Sequence, residues 1–540
     1  MWRPRRLAAA MVLAASAALP ACIGDIGDDT SGLPNTNPPS ATCSPTLDPI
    51  RRLTPTEYVN TVGELFPGVA LPEQLPVPDK RTDGFEGQAA GQASSALGVQ
   101  RYQELASSIG ESASLELSTW APCNTDSADC VKQIARELGF RAYRRPLAAD
   151  EVEALEAFAS NSHTQFGMEA AVALVVQGLL ESPHFLYRPE VGVAADGMAD
   201  LDDYEMASRL SYFFLDSMPD AALFAAAEAG TLTTAEGVEA EARRLLKDER
   251  ARPVITGFFA EWLRLYKIEE LALDAALFPE LDEAMRADFH RSVELYLDKA
   301  IWEDDAWASL ISGSYGFVND RLAPVFGVAA PGSNELVLVE LDPNQRRGVL
   351  TQPGLLAATS HGVSHSPIYR GVTMLASILC QDMPAPPPGI LDNLEEVELP
   401  PGEVCTVRDR LEKTHTVGSD CQGCHVAIDG AGFAFEHYDA LGRYRTEENG
   451  CAIDATGYFP GSLGDVNGAI ELADKLAASD VPATCMATHL FRFASGRKEV
   501  AGDTCEIEAL VDAMNASGGS LQETIVQLVI SPAFRSRPTE

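Results

Sequence analysis

The sequence predicts a mainly α, multidomain chain, and three observations carry that prediction. Apolar residues recur at helical spacing through most of the chain beyond residue 50, strand-like alternation is scarce outside Leu336 to Leu341, and 540 residues exceed what one hydrophobic core usually serves. Length alone therefore predicts two to four packed units.

The elements follow in chain order. Residues 23–49 are rich in Gly, Asp, Asn, Ser and Pro without periodic apolar positions, as in a flexible tether. Helical patterns run over 99–115, 131–139, 148–160 and 166–181. Leu201-Asp202-Asp203 supplies a capping aspartate for the next, which spans Tyr204 to Leu215 and puts Met206, Leu210, Phe213 and Phe214 on one stripe. Thr233 and Thr234 open another, with Val238, Ala242, Leu245 and Leu246 on one face. Further patterns cover 250–266, 282–300, 370–380, 469–478, 482–494 and 505–530. The run Met383-Pro384-Ala385-Pro386-Pro387-Pro388 cannot continue a helix and reads as an extended connector towards the C-terminal part.

That C-terminal part contains Cys421-Gln422-Gly423-Cys424-His425, the attachment pattern of c-type haem. Two thiols three positions apart add to the haem vinyl groups, and the adjacent imidazole becomes the proximal iron ligand. The fold expectation is thus a helical body with a C-terminal cytochrome c-like haem region. Two alternatives stay open: a Cys421–Cys424 disulfide with a bystander His425, or zinc held by these three side chains with Cys405 or His415.

The N-terminus reads as an export signal: Arg3, Arg5 and Arg6, then apolar Leu7 to Leu19, then Leu19-Pro20-Ala21-Cys22. Small residues before a cysteine resemble a bacterial lipobox, with Cys22 as the lipidated first residue; the alternative is an ordinary cleaved signal. Neither Ile23 nor Gly24 is an inner-membrane retention aspartate, so the expected location is the outer membrane, on its periplasmic or cell-surface side. No other stretch has the ~20 uninterrupted apolar residues of a spanning helix. Setting aside Cys22, Cys421 and Cys424 leaves an even set of cysteines, which suits disulfides in an oxidising compartment. Proximity favours Cys123 with Cys130 and Cys485 with Cys505; Cys380 with Cys405 then leaves Cys43 with Cys451, although connectivity does not follow from sequence alone. The formal charge of −39 repels polyanions, so nucleic acid is not an expected partner.

Several blocks resemble one family. They are Arg51-Arg52-Leu53-Thr54-Pro55-Thr56-Glu57-Tyr58, Phe140 to Leu147, Leu180 to Arg188, Ala207 to Phe213, Phe317 to Leu322, Arg347 to Thr351, Ser366 to Gly371, and Cys424-His425 through Arg445. In this order they resemble the multidomain secreted bacterial family built from domains of unknown function 1587, 1595, 1592, 1588 and 1585. The residues themselves set a signal over 1–21 and a lipidated Cys22 with its tether over 22–49, and the resemblance implies domains over 50–118, 119–192, 193–328, 340–446 and 450–535. It implies little about activity, since the family's haem is itself inferred from CxxCH.

After the motif, Asp429, Gly432, Phe433, Glu436, Asp439, Gly442, Arg443 and Arg445 follow the family pattern. Arg443 and Arg445 suit haem propionates, because a guanidinium fork matches a carboxylate; equally, they suit Glu436 and Asp439 in a structural network. Phe433 and Tyr438 suit either the porphyrin or the core. For the sixth iron ligand, Met486 is the candidate, with His361, His365, His437 and His489 as rivals, and a methionine on an apolar helix face also reads as core. His184 and Arg209 suggest a catalytic pocket, but the preferred reading is a buried histidine and a buried arginine joining helices. Gly-x-Ser-x-Gly, P-loop and His-Glu-x-x-His motifs are absent.

The functional expectation is a lipid-anchored envelope protein carrying covalent haem c and exchanging electrons with a secreted or periplasmic partner. The alternatives are a haem-dependent oxidoreductase on an extracellular organic substrate, and a disulfide-stapled binding or scaffold protein without haem.

Overall fold

Helix signals in the sequence become hydrogen bonds in the folded chain. The computed structural model describes residues 48–195, 197–381, 404–414 and 422–539; the expected signal and tether, Cys22, Cys43, the Pro-rich connector, His415 and Cys421 lie outside them. The Pro55–Leu65 helix starts with a reciprocal cap: Thr54 Oγ1 accepts from the Glu57 amide (3.1 Å) and Glu57 Oε2 from the Thr54 amide (2.7 Å). Asp202 caps Asp203–Leu215 in the same way, accepting from Tyr204 and Glu205. Thr234 caps Ala235–Leu245.

Two hydrophobic cores result, and the protein is mainly α. The N-terminal core gathers Leu53, Tyr58, Leu105, Ile109, Ile134, Val172 and Val176 from the Pro55–Leu65, Ala96–Leu115, Ala128–Tyr143 and Met168–Leu180 helices. The larger core runs from Phe85 and Leu201 to Phe534. Short antiparallel pairings tie distant chain ends together. Arg51–Arg52 pairs with Tyr187–Arg188, which closes the N-terminal lobe, and Ser536–Pro538 pairs with Met198–Asp200. The described residues consequently form one unit, where length alone had suggested two to four.

Other departures have local causes. The pattern over 505–530 splits into Thr504–Ala516 and Leu521–Ile530, because Gly518 (φ 76°) and Gly519 (φ 93°) take the left-handed turn that glycine tolerates. The 282–300 and 370–380 patterns each end in a π turn, at Lys299–Glu303 and Met374–Ile378. Val337–Glu340 is a strand, paired with Tyr315–Val318.

Disulfide connectivity departs from the expectation based on sequence proximity. Cys123 is bonded to Cys130, but Cys380 is bonded to Cys485 and Cys405 to Cys451. Hence Cys485 does not pair with Cys505, nor Cys380 with Cys405, nor Cys43 with Cys451. Cys485 sits inside the Asp480–Ser495 helix with its sulfur taken by Cys380, while Cys505 opens the helix that follows. Cys505 is itself disulfide-bonded. Cys405 is anchored on the turn that carries Cys451, where Asn449 Nδ2 donates to the Cys405 carbonyl (2.8 Å).

Candidate functional site

The CxxCH stretch leads into a helix, Gln422–Phe433, whose position is set by glycine. A Cβ on Gly371 would lie 1.8 Å from the Ile428 carbonyl oxygen, and one on Gly432 would lie 1.9 Å from that of Pro367. The Pro367–Thr373 helix therefore crosses this one in backbone contact, a packing only glycine allows. The hairpin of Thr456–Phe459 and Gly464–Asn467 also packs against the motif helix through its first strand.

On that helix Cys424 is an exposed free thiol, and His425, one residue on, is partly exposed. His425 Nδ1 donates to Asp429 Oδ1 at 3.1 Å, one helical turn later, and Asp429 is fully buried. This bond raises the imidazole pKa, opposed by burial. It also orients the ring through Nδ1, as a carboxylate does for a metal-ligating histidine. A thiol and an imidazole so arranged fit covalent haem. Sequence reasoning placed Asp429 only in a family pattern; its i, i+4 spacing from His425 was the signal of the pairing.

The residues after the helix form a buried polar network. Arg370 donates to the carbonyls of Phe435 (2.8 Å), Tyr438 (2.7 Å) and Asp439 (2.8 Å). His365 Nε2 donates to Glu436 Oε1 (3.1 Å), while Arg445 donates to His365 Nδ1 (3.2 Å) and Glu448 Oε1 (3.0 Å). Burial lowers the His365 pKa, in keeping with a neutral ring donating at one nitrogen and accepting at the other. Arg443 pairs with Glu280 and lies 3.7 Å from Asp439. Both arginines thus have protein partners, and Glu436 pairs with His365 rather than with either.

The other candidates fall in several places. Phe433 is buried under the Arg408 guanidinium, 4.5 Å from its ring centre, and Tyr438 donates its hydroxyl to the Gln345 carbonyl (2.6 Å). Met486 is 1% exposed, in the larger core, on a helix that packs against Ala251–Trp262, Gly468–Ala477 and Thr504–Ala516. His437 Nδ1 donates to the Arg445 carbonyl (2.9 Å). His489 is buried beside the Cys380–Cys485 disulfide, and desolvation, with Arg492 and Arg264 nearby, pushes its pKa down to about 3. The side chain of His361 lies outside the description. Cys405, being bonded to Cys451, is no zinc ligand for the motif.

The reading of His184 and Arg209 as buried residues joining helices holds for Arg209 and fails for His184. His184 is exposed, 3.7 Å from Glu151. Arg209 is buried and links three distant segments, donating to Glu190, to Asp48 and to the Phe534 carbonyl.

The comparisons follow the same chain order. Models described as Protein of unknown function match residues 51–114 (DUF1587), 130–190 (DUF1595), 201–328 (DUF1592), 346–448 (DUF1588) and 464–534 (DUF1585). A helical chain carrying these five in succession is of one class, and the protein belongs to the multidomain family that they define. No curated protein and no solved structure matches the chain.

Proposed function

We propose that the protein is a lipid-anchored envelope haem c protein that passes single electrons to or from a secreted or periplasmic partner. The observation that carries this reading is the His425–Asp429 bond, with a free, exposed Cys424 beside it. Cys421 and Cys424 would hold the haem by thioether bonds and His425 would ligate its iron; once bound, it supplies one-electron chemistry. Asp429 holds the imidazole in one tautomer and orientation. Cys22 would anchor the chain in the outer membrane, and no described helix is long and apolar enough to span one.

A second reading, a haem-dependent oxidoreductase acting on an extracellular organic substrate, draws on the same bond. A full carboxylate partner makes the imidazole electron-rich, which suits oxygen or peroxide chemistry. Film voltammetry with added cyanide separates the two. A reversible one-electron couple that cyanide leaves unchanged supports electron transfer; a couple shifted by cyanide, with turnover of peroxide, supports the enzyme.

A further inference from the structure

Far along the chain from the haem motif, segments from both ends and the middle enclose a cavity of about 320 Å³. Pairing of Arg51 with Arg188 across the lobe-closing strands brings both guanidinium groups to its lining. Arg51 donates to the carbonyls of Phe493 (3.4 Å) and Ala494 (3.0 Å) from the C-terminal region. Arg188 is buried, 3.3 Å from Glu57, and its Nε has no hydrogen-bond partner among the described residues. Asp216 faces the cavity in a left-handed conformation (φ 46°), with no hydrogen bond to its carboxyl among those residues. Leaving a buried polar atom such as Arg188 Nε without a hydrogen bond is costly, and a ligand that completes it is the economical explanation.

Gly257 gives a second, independent observation. It lies inside the Ala251–Trp262 helix and lines the cavity, yet a Cβ there would meet no atom within 4 Å. Packing does not require glycine, which is among the poorest helix formers. What the glycine leaves is room.

We propose that this cavity binds an uncharged, hydroxyl-rich molecule the size of one or two sugar rings. Its charges balance: Arg51, Arg81 and Arg188 stand against Glu57, Glu86 and Glu269. Burial holds Asp216 up at about 8 and Glu261 at about 7, so at neutral pH Asp216 is mostly a protonated donor and Glu261 divided between donor and acceptor. His290, also on the lining, is 3.5 Å from Glu294. Neither an anion nor a cation finds net compensation in such a lining, whereas hydroxyl groups use its donors and acceptors together. Metal binding is not the use, since no metal-sized cluster of ligands among the described residues lies on this wall. Phe213, Phe258 and Phe493 supply an apolar wall for ring carbons.

Calorimetric titration of the full chain with glucose, cellobiose and diacetylchitobiose, against glucose 6-phosphate and glucosamine, tests the assignment. Expected is binding of at least one neutral sugar, at least tenfold weaker binding of the charged ones, and loss of binding in Gly257→Leu with an undiminished melting temperature. Thr56→Trp, at an exposed helix-start position on the lining, should also block binding. Failure of every neutral sugar to bind, preference for a charged one, or retention of binding in both variants overturns the proposal.

Discussion

At the scale of single residues, Asp429 and Asp216 make opposite demands on the surrounding protein. With haem held as proposed, the Asp429 carboxylate would make His425 a more electron-rich ligand, so Asp429→Asn should raise the reduction potential of the haem-loaded protein by tens of millivolts while leaving haem attachment intact. Potentiometric titration measures this, and an unchanged potential with haem attached would reduce Asp429 to a structural role. Asp216 is raised from 3.8 to about 8 chiefly by desolvation, with Glu57 adding to the rise and Arg188 opposing it. The folded chain therefore binds the proton more tightly than the unfolded one, and stability drains away as pH rises from about 4 to about 8. Asparagine keeps the shape, tolerates the left-handed conformation and does not ionise. Asp216→Asn should melt higher than the wild type at pH 8, with the gap closing towards pH 4; equal melting temperatures at both pH values would show that the carboxyl is not held protonated.

At the scale of elements, glycines decide what packs and what stays open. Alanine at Gly371 or Gly432 drives a methyl into a carbonyl oxygen of the neighbouring helix, and each should cost about 1–3 kcal/mol in denaturant titration. Alanine at Gly257 meets open space and should stabilise by roughly 0.5–1 kcal/mol. This is also the scale at which the sequence was most readable. The aspartate before Tyr204 and the threonine pair at Thr233 and Thr234 announce their helices because a cap is a local event, and the CxxCH motif announces itself by spacing alone, whereas the Thr54 cap went unread. The break at Gly518 and Gly519 was equally local and was hidden by the apolar periodicity that continues across it. The meeting of Arg51, Glu57, Arg188 and Asp216 was not readable, since it depends on strands more than a hundred residues apart finding one another. Nor were the long-range disulfides Cys380–Cys485 and Cys405–Cys451, for the same reason, whereas the local Cys123–Cys130 pair was read correctly.

At the scale of the whole molecule, long-range ties join the family's successive segments. Arg209 reaches Asp48 and the Phe534 carbonyl, and Cys380–Cys485 closes a separation of 105 residues. Cross-linking so long a loop restricts the unfolded chain, so replacing both cysteines by serine should cost about 2–5 kcal/mol and lower the denaturation midpoint. An unchanged midpoint would mean that packing alone holds the Met374–Ile378 turn to the Asp480–Ser495 helix. The Met374–Ile378 turn also packs against the CxxCH helix, the proposed site of haem attachment. The most direct measurement is a pyridine haemochrome spectrum of denatured protein produced with a c-type maturation system, beside the Cys421→Ala, Cys424→Ala variant. The account predicts the absorption band of haem with both vinyl groups saturated, retained through denaturation and missing from the variant. A chain that matures without bound haem, or one whose haem is lost on denaturation, would contradict it.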